Sequence, residues 1–116
     1  MAVIDWVQFN ENFQYYDKEI ISEIINIFFE EYDTRMIDLE KNIAEKDFTA
    51  LAFNAHSLKS VISNYMAPQV LELTRRLEEM GKNKSDEGID ELFADLKSTT
   101  KKLMLELEEY LANSAK

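Results

Sequence analysis

The chain has 116 residues, enough for one hydrophobic core, so we expect a single domain spanning residues 1–116. Its formal net charge of -10 argues against nucleic acid and anionic membranes as partners, because both would repel an acidic protein. The absence of cysteine excludes disulfides and thiolate metal sites and favours a reducing, cytoplasmic setting.

Turn-forming residues and apolar runs are both scarce in this sequence. Two glycines and one proline leave few positions for the tight turns of a sheet protein, which favours an almost entirely helical chain. The first residues lack a basic region followed by an apolar run, and no stretch approaches the ~18 apolar residues that span a bilayer. We therefore expect an unsecreted protein, and the initial Met1 favours a stand-alone chain.

The first two predicted elements are a short cap and a long helix. Apolar side chains between Ile4 and Phe13 predict a short helix or turn that caps one end of a bundle. Asp17 can then accept hydrogen bonds from the free N–H groups of a helix start, and Glu19 lies where the helix dipole favours negative charge. Apolar residues at three- and four-residue spacing extend this helix to about Glu45: Ile21, Ile24, Ile25, Phe28, Tyr32, Met36, Leu39 and Ile43.

The next helix follows a short connection, and Asp47 is placed to cap its start. Pro68 is expected to end or restart the helix, because proline has no N–H and disfavours helical geometry at Ala67. The apolar stripe of this helix comprises Phe48, Leu51, Ala55, Leu58, Ile62 and Met66.

Two further helices complete the predicted fold. One runs from Pro68 to about Met80, with Gly81 in the left-handed position after its last turn and a loop over residues 82–88. That loop superficially resembles a calcium loop, but Ala94 stands where a bidentate glutamate is required. The last helix runs from about Ile89 to Ala112. Four helices with short links predict an all-α protein, an antiparallel four-helix bundle with a short N-terminal capping helix.

His56, the only histidine in the chain, is the main candidate for chemistry. A dinuclear carboxylate site needs Glu-x-x-His pairs, but Phe53 precedes His56 by three residues, and zinc would need further histidine or cysteine ligands. Ser57 is a neighbouring hydroxyl, but helices alone provide no evident oxyanion hole for a hydrolase. We therefore expect no metal site, and without a glycine-rich phosphate loop we expect no nucleotide site either.

Helical geometry places His56 away from the core. At ~100° per residue from Leu51, the apolar stripe centres near ~20° and His56 lies near ~140°. Phe53, near ~200°, is expected to be an exposed aromatic that contacts a partner. Geometry alone favours the other interpretation, because a lone helical histidine in an acidic domain is usually a solvated side chain without function. Other residues expected on the partner-facing side, small residues and one cation, are Ala52, Lys59, Ser60 and Ser63.

The segment Ala55-His56-Ser57-Leu58-Lys59-Ser60 closely resembles the AHxLKG signature of histidine-containing phosphotransfer (HPt) domains, the intermediates of multistep phosphorelays. The helix break at residues 66–68 and the sequence LELTRRLEEMGK at residues 71–82 are also similar to this family. The resemblance extends over roughly residues 9–111. It implies a four-helix bundle, an exposed histidine that is phosphorylated, and receiver domains with a phospho-aspartate as partners.

Carried over residue by residue, the resemblance implies His56 as the phosphoacceptor and Lys59 as the cation that helps to hold the phosphoryl group. The receiver would supply the Mg²⁺, so no cofactor is expected in this chain, which we expect to be a monomer. Glu78 matches a position where some members bond the other imidazole nitrogen. A solvated helix residue is the other interpretation of Glu78, and both remain open.

The sequence departs from the family pattern at two glycine positions. Ser60 stands where the family has the glycine directly after the lysine, and Met66 stands where it has a later glycine. Ser60 is still small, but its hydroxyl can alter partner choice or transfer rate. Met66 indicates different packing at the end of the helix.

The favoured function is phosphotransfer between His56 and receiver aspartates in a two-component phosphorelay, by a phosphocarrier without its own kinase site. The alternative is a non-catalytic docking or scaffold module that uses a surface of Phe53, His56 and Tyr65. An enzyme with His56 as general base has no visible acid partner or pocket.

Overall fold

The structure is a computed structural model that describes residues 2–114, and it is a bundle of five helices without a strand in that range. The all-α bundle predicted from the sequence is confirmed. None of the helices within residues 2–114 combines the length and apolar character needed to cross a membrane. The helices are α1 (Trp6–Asn12), α2 (Lys18–Glu45), α3 (Phe48–Ile62), α4 (Pro68–Asn83) and α5 (Ile89–Ser114), with a 3₁₀ turn at Ser63–Tyr65.

The four longer helices surround one hydrophobic core. α3 packs against α2 and α4, and α5 packs against the same two helices, so each long helix has two neighbours in the bundle. Short connections make consecutive helices run in opposite directions. The largest fully buried side chains include Phe28, Leu51, Leu58, Leu77 and Leu103. This core fixes which faces of α3 and α4 remain available for a site.

The short helix α1 is bound to the end of the bundle, as predicted for a cap. Its Phe9 is fully buried, and the N–H of Asp5 donates to the carbonyl of Met66 at 2.8 Å. The Glu106 carboxylate on α5 accepts hydrogen bonds from the N–H groups of Val3 and Ile4, at 2.6 and 3.1 Å. These contacts connect the N-terminal segment to both α5 and the turn after α3.

The two predicted aspartate caps differ in the structure. The Asp47 carboxylate accepts a hydrogen bond from the N–H of Ala50 at 3.1 Å, which confirms the cap of α3. Asp17 precedes α2 at the predicted position, but its side chain makes no capping hydrogen bond, so that part of the prediction is wrong. The start of α2 is exposed, and water can satisfy its free N–H groups.

The end of α4 is the main error in the predicted element boundaries. The helix continues through Gly81 to Asn83, and Lys84 instead takes the left-handed conformation, with φ 53° and ψ 43°. The N–H of Ser85 donates to the carbonyl of Met80 at 3.0 Å, which closes the last turn. Gly81 is buried within the helix and faces Ala52, so packing rather than chain reversal accounts for its position.

Candidate functional site

His56 lies on the outer face of α3, the face that its helical position predicts. Its side chain is 62% exposed. Four residues of the same helix form the opposite, buried face: Leu51, Ala55, Leu58 and Ile62. The burial of this stripe fixes the rotation of α3, so the imidazole is presented to solvent by a helix that cannot turn freely.

Glu78 on α4 contacts the inner nitrogen of this imidazole. One carboxylate oxygen, Oε2, lies 2.9 Å from Nδ1 of His56. The Glu78 side chain is only 4% exposed, so the interpretation of Glu78 as a solvated helix residue is wrong. An ionised carboxylate can only accept a hydrogen bond, so a neutral ring in this contact carries its hydrogen on Nδ1 and leaves the lone pair on Nε2.

Two lysines share the same carboxylate. Nζ of Lys59 on α3 lies 2.5 Å from Oε1 of Glu78, and Nζ of Lys82 on α4 lies 3.2 Å from Oε2. Burial alone would raise the pKa of Glu78, but the hydrogen bonds from Lys59, His56 and Lys82 outweigh it and lower the pKa to about 2. Glu78 is therefore ionised at neutral pH, and His56, Lys59 and Lys82 all contact its carboxylate.

Lys59 differs from the expected freely exposed cation. Its side chain is 29% exposed and is paired with Glu78 across the α3–α4 interface. Lys82, 64% exposed, was not singled out in the sequence. Its position four residues after Glu78 on one helix was the available signal, because residues at that spacing share a face. The positive charge beside His56 therefore comes from two helices.

The other predicted partner-facing residues occupy different environments. Phe53 is 75% exposed, and Ser60 and Ser63 are also exposed. Their hydroxyls donate to backbone carbonyls of α3, Ser60 to His56 at 3.2 Å and Ser63 to Ser60 at 2.7 Å. Ala52 is half-buried against Gly81 and contributes only the edge of this face.

Tyr65 does not belong to the outer face. Its side chain is fully buried, so the docking surface of Phe53, His56 and Tyr65 considered from the sequence is wrong for Tyr65. The helical angle agrees with this burial, because at ~100° per residue from Leu51 Tyr65 lies near ~320°, about 60° from the centre of the apolar stripe. The Tyr65 ring packs beside Phe28, with 5.3 Å between ring centroids.

The opposite edge of α3 is tied to α2. Nη1 of Arg35 donates to the hydroxyl of Ser57 at 3.0 Å, while the same guanidinium is paired with Glu31 at 2.8 Å. One turn earlier on α3, the amide of Asn54 donates to the side chain of Asn42 at 2.7 Å. Sequence reasoning missed both contacts, since neither pair forms a motif. They hold α3 on the side that Glu78 does not contact.

Metal ligands are not grouped in this site. Within residues 2–114, no three histidine, cysteine, aspartate or glutamate side chains come together in a group that could hold a metal ion. The chemistry offered by the described residues is an imidazole with its outer nitrogen in solvent, an anion at its inner nitrogen and two lysines nearby. This arrangement suits attack by nitrogen on an electrophile with negatively charged oxygens.

Comparison with known proteins agrees with that chemistry. A family model described as the Hpt domain matches residues 23–115. No match was found among curated proteins or among solved structures. Because the family match covers most of the sequence and includes α3 and α4 whole, the chain belongs to the Hpt domain family, whose members are phosphocarriers of two-component signalling that exchange phosphoryl groups with receiver domains and are not kinases.

Proposed function

We propose that this chain carries phosphoryl groups in a multistep phosphorelay, with His56 as the phosphoacceptor. The observation that carries the proposal is the exposed imidazole whose Nδ1 lies 2.9 Å from the buried Glu78 carboxylate. Receiver domains, alone or within hybrid sensor kinases, would donate and accept the group. We further propose that the chain acts as a single-domain monomer in the cytoplasm.

The transfer follows from the protonation that Glu78 favours. The lone pair on Nε2 of neutral His56 attacks the phosphorus of a receiver phospho-aspartate, the N–P bond forms, and the bond from phosphorus to the aspartate oxygen breaks. The receiver recovers its carboxylate, and the hydrogen stays on Nδ1, so the ring becomes positively charged. The Glu78 carboxylate lies where it stabilises that new charge. The same steps in reverse return the phosphoryl group.

Charge on the phosphoryl oxygens is the second requirement of this transfer. Lys59 lies one turn after His56 and pairs with Glu78, and Lys82 on α4 contacts the same Glu78 carboxylate. A lysine ammonium near the phosphoryl oxygens lowers the cost of their negative charge. We assign this role to Lys59, and we propose that the receiver supplies the Mg²⁺, so that this chain needs no cofactor.

The proposed docking face surrounds the imidazole. Phe53 offers exposed apolar area one turn before His56, and Ser60 and Ser63 are small exposed residues on the following turns. Small side chains permit a receiver to bring its aspartate to the ring, and an exposed aromatic provides contact area. Ala52 lies at the edge of this face, beside α4.

Phosphoryl transfer from labelled receivers tests the proposal. Receiver domains charged with radioactive phosphate are mixed with the protein and Mg²⁺, and the label on this chain is tested for acid lability and base stability. We expect such label on the wild type and on Lys101→Ala, an exposed control on α5, and none on His56→Gln. The proposal is wrong if the wild type stays unlabelled with every receiver of the source organism, or if His56→Gln is labelled equally.

The exposed Phe53 also suits a docking module without phosphorylation. That function predicts that His56→Gln retains both receiver affinity and signalling output, whereas Phe53→Ala loses affinity. For a phosphocarrier, His56→Gln retains affinity but loses output. Receiver binding and output measured on the same two variants separate the two functions.

A further inference from the structure

Gly81 lies inside α4, where the backbone itself gives no reason for a glycine. Among the described glycines, only Gly88 has a positive φ, so Gly81 does not serve a left-handed turn. A glycine in a helix interior is destabilising relative to alanine because it loses more conformational freedom on folding. The reason for Gly81 must therefore lie in what surrounds it, and it is buried.

The neighbour of Gly81 is the backbone of α3. A Cβ at Gly81 would lie 2.7 Å from the nitrogen of Ala52, 2.9 Å from its Cα and 3.0 Å from its Cβ. Real Cβ atoms essentially never approach other atoms closer than 3.0 Å. Two of the three atoms belong to the backbone and cannot rotate away. Any side chain at Gly81 would therefore push α3 and α4 apart.

This close contact lies one helical turn from the His56 site. Ala52 precedes His56 by four residues on α3, and Gly81 follows Glu78 by three residues on α4, so each pair shares one face of its helix. Glu78 reaches across the same interface to Nδ1 of His56 at 2.9 Å and to Nζ of Lys59 at 2.5 Å. The distance between α3 and α4 at Ala52 and Gly81 therefore sets the distance between the Glu78 carboxylate and the His56 ring.

The movement that a side chain at Gly81 would require is large enough to break the hydrogen bond between Glu78 and His56. Ordinary van der Waals contact begins near 3.4 Å, so an atom at 2.7 Å must move by about 0.7 Å. A displacement of that size would carry the 2.9 Å contact between His56 and Glu78 beyond the ~3.5 Å limit of a hydrogen bond. The ring would then lose the partner that fixes its tautomer.

We propose that Gly81 is a positioning residue for His56: the missing side chain lets α4 approach the backbone of Ala52, and this approach holds Glu78 within hydrogen-bond distance of Nδ1. Gly81 acts through Glu78 and touches no reacting atom. The inference rests on the proposed phosphocarrier function for its consequence in transfer, whereas its structural part concerns the unphosphorylated protein.

The test compares Gly81→Ala with Arg76→Ala, which adds an alanine at an exposed position of the same helix. Nitrogen-15 NMR of histidine-labelled protein reports the tautomer directly, because His56 is the only histidine in the chain. The rate of phosphorylation by phosphoramidate, a small donor, reports reactivity without a receiver. Circular dichroism verifies that both variants are folded.

We expect Gly81→Ala to shift the neutral ring from the Nδ1–H towards the Nε2–H tautomer and to slow phosphorylation about tenfold, the lower end of what losing a histidine-orienting partner costs at metal sites. Arg76→Ala should change neither measurement. A folded Gly81→Ala protein with the wild-type tautomer and rate would overturn the proposal. If Gly81→Ala does not fold, Ala52→Ser enlarges the same contact from α3 and should produce the same tautomer shift, and its absence counts equally against the proposal.

The two measurements also separate this inference from the proposed function. A wild-type protein that no phosphodonor or receiver labels would disprove phosphotransfer, and the tautomer shift in Gly81→Ala would still decide the positioning role. An unchanged tautomer in a Gly81→Ala protein that is phosphorylated at the wild-type rate would refute the positioning role alone.

Discussion

Glu78 joins His56 across the α3–α4 interface, with 2.9 Å between Oε2 of the carboxylate and Nδ1 of the ring. The two residues differ sharply in exposure, with 4% of the Glu78 side chain and 62% of the His56 side chain accessible to solvent. The inner nitrogen is therefore fixed by the protein, while the outer nitrogen faces any partner. This division gives one ring an orienting contact and, in the proposed transfer, an outer nitrogen that is free to react.

Removal of the orienting carboxylate should slow phosphoryl uptake. We expect Glu78→Ala to reduce the rate of transfer from a receiver by about 10–100-fold. The ring would lose the hydrogen-bond acceptor that fixes its tautomer and the anion that stabilises its positive charge. Glu78→Gln should retain part of the rate, since an amide oxygen can accept the same hydrogen bond without the charge. Single-turnover labelling measures the rates.

Glu79→Gln is the matched control for these variants. Glu79 is the next residue on α4, is exposed, and pairs with Arg75 at 2.9 Å instead of contacting His56. Its rate should equal that of the wild type. Equal rates for Glu78→Ala and the wild type would mean that Glu78 does not orient the ring in solution.

The low pKa of Glu78 predicts a particular pH dependence of stability. The pKa in the folded protein, about 2, lies below the ordinary value of 4.5, so ionised Glu78 favours folding above pH 4.5 and this contribution is lost as the pH falls towards 2. Wild type should therefore be more stable than Glu78→Gln at pH 7, and the difference should shrink between pH 4.5 and 2. Urea unfolding at several pH values measures it, and a constant difference would contradict the ion-pair cluster.

The fold and the exposed face of α3 could be predicted because their signals are periodic and local. The stripe containing Leu51 and Leu58 specifies which side of α3 is buried, and the opposite angle then places His56 in solvent. Asp47 and Pro68 mark helix starts through backbone chemistry that operates within a few residues. Each of these inferences needs only one helix at a time.

The site itself depends on contacts between helices, which no single periodic pattern contains. Lys59 lies near ~80° on α3, midway between the apolar stripe and His56. Its angle therefore does not show that Glu78 on the neighbouring helix holds its ammonium in a half-buried pair. Gly81 follows the apolar residues of α4 as a terminating glycine would, yet its role depends on the backbone of Ala52, 29 positions earlier. Met66 stands where the family pattern has a glycine, and its φ of 55° is left-handed, a conformation that glycine adopts without strain.

Lys59→Ala should lower stability as well as transfer rate. Loss of the ammonium deprives a nearly buried carboxylate of one partner, which we expect to cost about 1–2 kcal/mol because Lys82 and His56 still contact Glu78. Lys82→Ala removes a more exposed charge and should change stability by no more than about 0.5–1 kcal/mol. Urea unfolding compares the two. A cost of Lys59→Ala below that of Lys82→Ala would contradict the pairing described across α3 and α4.

Truncation of the buried face of α3 should affect stability far more than truncation of its outer face. Leu58 is fully buried, so Leu58→Ala should cost about 2–5 kcal/mol through lost burial and the cavity left behind. Ser60→Ala removes an exposed hydroxyl bonded only to the His56 carbonyl, and should remain within about 0.5 kcal/mol of wild type. Similar losses in the two variants would show that α3 is rotated differently in solution.

Lys84→Gly should stabilise the protein. Lys84 has φ 53° and ψ 43°, and left-handed geometry strains any residue with a Cβ. The side chain is exposed, so its removal sacrifices little packing. Glycine relieves the strain but adds freedom to the unfolded chain, and we expect a net gain of about 0.5–1 kcal/mol in thermal or urea unfolding. Asn83→Gly, one residue earlier but within the helix, is the matched control and should instead lose about 0.3 kcal/mol, because asparagine is already a poor helix former. Stabilisation by Asn83→Gly rather than by Lys84→Gly would place the end of α4 one residue earlier.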